Sequence, residues 1–110
     1  MQSERFKQLA KQFLVRTSDE LAQLRAHLPQ AQAGDEQALL AMQHASHRIH
    51  GSGAMLGFKE VSDQAAQIEN ILRRTGNAPG PGDWSDIVHY IDELSAALQV
   101  ASIGDPPDYG

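Results

Sequence analysis

Apolar residues recur along this chain at spacings of three and four, the period of a helix with one buried face. The first such stripe is Phe6, Leu9, Ala10, Phe13, Leu21, Leu24 and Leu28. It predicts a helix from about Ser3 to Leu28, ended by Pro29 and Gly34. Thr17, Ser18 and Asp19 interrupt the stripe and could cap a second helix. Because the stripe resumes in phase, one long helix is the favoured reading. A second stripe, Ala38, Met42, Ala45, Ile49, Ser52 or Gly53, and Leu56, predicts a helix capped by Asp35. A third, Phe58, Val61, Ala65, Ile68 and Leu72, predicts one ending near Arg74, with Arg73 and Arg74 favourably placed at its dipole's negative end. The run from Gly76 to Gly82 reads as a loop. Asp83 is then expected to cap a fourth helix carrying Trp84, Ile87, Ile91, Leu94 and Leu98 to about Val100.

Four amphipathic helices with short links predict an all-α, antiparallel up-down-up-down four-helix bundle. No alternation of strand type and no internal repeat is visible. The expected domain covers residues 1–103, with residues 104–110 expected as a disordered tail.

Composition narrows the function classes. The 110 residues suit one domain, and 41% apolar with 21% charged is ordinary for a globular protein. A formal charge of −5 argues against nucleic-acid binding. The absence of cysteine excludes disulfides and thiolate metal sites. No apolar run approaches spanning length and the first residues lack a signal-peptide core, so no direct membrane contact is expected; the expected location is cytoplasmic, either free or as the cytoplasmic end of a longer, membrane-anchored protein.

The candidate chemistry lies in His47-Arg48-Ile49-His50-Gly51-Ser52-Gly53-Ala54-Met55-Leu56-Gly57-Phe58. With about 100° per residue, His47 lies about 200° from Ile49 and points away from the core. Leu40, Gln43, His44, Gly51 and Ala54 share its outward sector. A histidine has an ordinary pKa near 6.5, so an exposed neutral ring offers a lone pair that can attack phosphorus. Small residues beside it leave room for a large partner. Counting from a turn at Gly57, His47 lies roughly 15 Å along one helix and Glu69 roughly 18 Å along the next. Glu69 is therefore expected level with His47 at the edge of the interface. From there it could accept from one ring nitrogen and fix the tautomer. Gln67 is the weaker alternative for that role. An ion pair with Arg73 is the plainer reading of Glu69. Gly51 reads as clearance for a partner, and Gly53 as close helix packing.

This run resembles the signature of histidine-containing phosphotransfer (HPt) domains. That signature is a histidine, usually a lysine three residues later, then glycine and small residues, with a glycine ten positions after the histidine. The resemblance implies that His47 is phosphorylated on Nε2 and exchanges the group with an aspartate of a response-regulator receiver domain. It implies that Glu69 orients the imidazole. It also implies that Mg²⁺ belongs to the receiver and that no cofactor or ATP site is needed here. A sensor histidine kinase is the further expected partner, and the isolated domain is expected to be monomeric. The lysine position is held by His50, which is expected to contact the phosphoryl group when charged. The expected docking face comprises Leu40, Gln43, His44, Gly51 and Ala54, with the nearby edge of the third helix. Two rival readings stand beside this one. The chain could be a docking module that binds a receiver without phosphotransfer. Alternatively, His44, His47 and His50, spaced by threes, could form a metal site, although no carboxylate at helical spacing completes one.

Overall fold

The computed structural model describes residues 2–103, and side chains from residue 4 onward. It contains α1 (Gln2–Gln32), α2 (Glu36–Leu56), α3 (Lys59–Arg74) and α4 (Pro81–Ile103), with no strand among the described residues. Each helix packs on two neighbours: α1 and α3 both lie against α2 and against α4, while the diagonal pairs do not meet. The result is the antiparallel four-helix bundle that the stripes predict. It is 48 Å long and 21 Å across, the length of the single long helix α1. The proposed tail at 104–110 lies outside the described residues.

The seam of α1 is Ala10, Phe13, Thr17, Leu21, Leu24 and Ala31, all buried, with Leu28 packed against them. Thr17 thus belongs to the core rather than to a helix break. Leu9, expected inward, is 41% exposed. It flanks Ala10 by one residue, and Ala10 takes the seam position. The helix also runs past Pro29, its expected terminator, to Gln32. A proline there removes a donor to the Arg25 carbonyl, but Arg25, Ala26 and Pro29 face water, which can replace it. Burial of Ala31 holds the last turn against the core.

Asp35 caps α2 by accepting from the Ala38 N–H at 2.8 Å. The α2 seam is broader than its stripe, because Leu39 and Ser46 are buried as well; the Ser46 hydroxyl donates to the Met42 carbonyl at 2.8 Å. At the other end Gly57 adopts a left-handed conformation with φ 85°. Its N–H reaches the Ala54 carbonyl, and the Phe58 N–H reaches the Gly53 carbonyl at 2.8 Å. Buried Phe58 then stacks on Phe13, ring centroids 5.0 Å apart. This closed turn sets the register of α2 against α3. In α3, Ile71 joins the predicted buried residues.

The fourth helix starts two residues before its expected cap. Pro81 occupies the first turn, where its missing N–H costs nothing. Asp83 sits inside the helix and accepts from the Gly80 N–H at 3.0 Å, so it caps by reaching backwards. That bond, with Arg74 beside it at 3.1 Å, holds the Asp83 carboxyl below its ordinary range. Ile87, Ile91, Leu94 and Leu98 form the predicted seam, and the helix continues to Ile103.

Candidate functional site

The site forms where α2 and α3 run side by side. Gly53 permits the approach: a Cβ there would stand 3.2 Å from Ser62 Cβ and 3.4 Å from Ser62 Cα. The Ser62 hydroxyl donates to the His50 carbonyl at 2.8 Å and ties the helices at that level. Close packing is therefore the role of Gly53. Gly51 is different. A Cβ there would meet nothing within 4 Å, so the glycine leaves open surface one turn from His47.

His47 presents its ring outward, with its side chain 62% exposed. Its Nδ1 lies 2.6 Å from Oε2 of Glu69. The level match counted from Gly57 is thus met by a direct hydrogen bond. Glu69 itself departs from its expected place at the rim. Its side chain is only 7% exposed, sunk between the two helices with the carboxylate turned up toward the histidine. Arg73, one turn further on, donates to the same Oε2 at 2.8 Å. His50 lies with Nδ1 3.1 Å from Oε1. The ion pair with Arg73 and the contact with His47 were competing readings of Glu69, and the structure contains both.

The electrostatics follow from this crowding. Burial pushes the Glu69 carboxyl upward, but hydrogen bonds from His50 and His47 and the charge of Arg73 outweigh it and hold the group below its ordinary value. An ionised carboxylate can only accept, so both imidazoles must carry their proton on Nδ1. In the neutral ring of His47 this leaves the lone pair on Nε2, the nitrogen that Glu69 does not hold. The bond to Glu69 fixes that tautomer and the plane of the ring.

His50 is tied down at one ring nitrogen while its side chain remains 44% exposed. Its Nδ1 bonds Oε1 of Glu69, the carboxylate oxygen that His47 does not use. Gln67 is exposed and forms no part of the cluster. Leu40, His44, Gly51 and Ala54 are exposed and Gln43 half-buried, so the outward sector of α2 is a continuous surface around His47. Met55, 82% exposed, extends its apolar part, although helical spacing alone sets it about 80° from His47 and outside that sector. Among the described residues no group of three or more His, Cys, Asp or Glu side chains is arranged to hold a metal. Also among them, no helix is long and apolar enough to cross a membrane.

The sequence profile of the Hpt domain matches residues 8–101, which spans most of α1 and all of α2 and α3 and reaches nearly to the end of α4. Searches of curated proteins and of solved structures gave no match. Four helices in a bundle, a profile match over most of the length and a surface histidine held by a carboxylate agree with one another, and the chain belongs to the Hpt domain family, the phosphocarriers of two-component phosphorelays.

Proposed function

We propose that this chain carries a phosphoryl group on Nε2 of His47 and exchanges it with an aspartate of a response-regulator receiver domain, in a cytoplasmic relay fed by a sensor histidine kinase. The observation that carries the reading is the 2.6 Å bond from Nδ1 of an exposed ring to a buried carboxylate. An ordinary surface histidine has no such fixture.

In the accepting direction, the Nε2 lone pair attacks the phosphorus of the receiver's aspartyl phosphate. The N–P bond forms as the P–O bond to the aspartate breaks, and the electron pair leaves with the aspartate carboxylate. The proton on Nδ1 stays in place. The phosphorylated ring is then cationic, and the Glu69 carboxylate faces that charge directly. The return transfer reverses each step. Negative charge on the transferring group calls for a divalent cation such as Mg²⁺, which we assign to the acidic pocket of the receiver. The protein contributes orientation, and the buried carboxylate has its geometry set before the partner arrives.

We assign docking to Leu40, Gln43, His44, Gly51 and Ala54 around His47, with Met55 at the margin and the neighbouring edge of α3. His50 holds Glu69 rather than the phosphoryl oxygens. The test uses a panel of receiver domains phosphorylated with a radiolabelled small phosphodonor. The chain should gain a label that is acid-labile and base-stable, and His47→Gln should gain none while keeping its helical spectrum. Failure to accept from any receiver would leave only a docking module, and a label retained in His47→Gln would move the site to another histidine.

A further inference from the structure

Arg73 has no part in the mechanism so far, yet among the described residues it is the only full positive charge in contact with Glu69. An exposed ion pair four residues apart on a helix is normally weak, because water screens both ends. Here one end is a carboxylate withdrawn from solvent, and a buried charge needs a partner. His47 and His50 supply hydrogen bonds to it but, when neutral, no charge. The guanidinium reaches Oε2, the same oxygen that His47 uses, at 2.8 Å against 2.6 Å for the imidazole.

We propose that Arg73 is a positioning residue for phosphotransfer, fixing the Glu69 carboxylate and balancing its charge so that His47 keeps an unprotonated Nε2. The inference rests on His47 being the phosphoryl site. Its physical content is a competition for one negative charge. With Arg73 in place the carboxylate is balanced without taking a proton into the cluster. Without Arg73, the nearest available positive charge is a proton on an imidazole. A proton on Nε2 of His47 would occupy the lone pair that must attack phosphorus. The other groups near His47 do not replace the guanidinium. On α2 they are His44, His50 and Arg48, and Arg48 is drawn toward Glu20 of α1 at 3.6 Å. On α3 they are Glu69 and Arg73 themselves.

The test compares wild type, Arg73→Gln and Arg73→Lys, with His47→Gln as the control. Two quantities are read: the single-turnover rate of transfer from a phosphorylated receiver, and the ¹⁵N signals of the His47 ring in the free chain at about pH 7. Arg73→Gln should slow transfer by about tenfold, the usual scale for losing a residue behind a reacting group. It should also move the Nε2 signal toward the protonated position. Arg73→Lys keeps the charge and should keep the wild-type ring signals. The proposal is overturned if Arg73→Gln slows transfer with unchanged ring signals, if it changes neither quantity, or if the lysine variant behaves like the glutamine one. A wild-type chain that takes no label would refute the phosphoryl site instead. The ring signals, measured without a receiver, would still decide the effect of Arg73.

Discussion

Gly51 and Gly53 lie two residues apart in one helix, and the same substitution should have opposite effects at the two positions. Replacing a helical glycine with alanine normally gains about 0.5–1 kcal/mol, because the unfolded chain loses freedom. At Gly51 a new Cβ meets nothing within 4 Å, so Gly51→Ala should realise that gain. For a domain of this size it raises the melting temperature by about 4 °C. At Gly53 the Cβ would approach Ser62 Cβ at 3.2 Å, and both Phe13 Cζ and Ser62 Cα at 3.4 Å. None of these can yield cheaply. Phe13 is buried and stacked on Phe58, Ser62 is bonded to the His50 carbonyl, and its Cα is the backbone of α3. Overpacking of this kind costs about 1–3 kcal/mol, so Gly53→Ala should be net destabilised by about 1 kcal/mol. Urea unfolding of the three proteins at one temperature measures both numbers. The functional consequences are also separate. Gly51→Ala should leave the Glu69 bond intact and crowd only the partner's approach. Gly53→Ala pushes α3 outward and loosens the contact between Nδ1 of His47 and Glu69. If Gly53→Ala were as stabilising as Gly51→Ala, the helices would not be in contact there and the account of the register would be wrong.

Three further outcomes are expected. Glu69→Ala should slow transfer by about 10–100-fold without abolishing it, whereas Glu69→Gln, which keeps an acceptor for Nδ1, should lose less; equal losses in rapid-quench assays would mean that the carbonyl oxygen does not orient the ring. The carboxyl of Glu69 titrates below its ordinary 4.5, so its contribution to stability is complete above that value and is lost as pH falls through the folded-state pKa. Wild type should therefore lose more stability than Glu69→Gln on acidification from about pH 5 to about pH 3, and parallel curves would contradict the buried ion cluster. Asp35→Ala removes the acceptor for the Ala38 N–H and should cost about 1 kcal/mol in urea unfolding, while transfer under folding conditions stays at the wild-type rate.

Much of this molecule was legible from residue spacing, and the exceptions have physical causes. The four stripes gave the helices because each seam repeats at three and four, and Gly57 gave the hairpin because a left-handed residue must end α2. From that hairpin alone, His47 and Glu69 came out level. Pro29 misled because local propensity says nothing of Ala31, whose burial keeps the helix going. Leu9 misled because two adjacent apolar residues compete for one seam position, and spacing cannot say which of them wins until the neighbouring helix is placed. Asp83 caps from inside α4 rather than ahead of it, since an acid can cap forwards from outside a helix or backwards from within it, and spacing does not distinguish the two.

The depth of Glu69 is the exception that matters for chemistry. Helical angles placed it beside the interface, and a carboxylate there would ordinarily be expected to stay in water. It is buried because two imidazoles and a guanidinium close over it from different positions, a condition no single spacing encodes. The consequence reaches His47. An imidazole that must meet a partner has to be exposed, and an exposed ring is free to rotate and to change tautomer. Fixing it through a carboxylate that is itself immobile removes that freedom without covering the ring. Exposure of the nucleophile and order at the nucleophile are opposing demands, and the cluster meets both by placing the order one residue deeper. For the transfer proposed here, the side chains behind Glu69, His50 and Arg73, should then matter as much as the surface around His47.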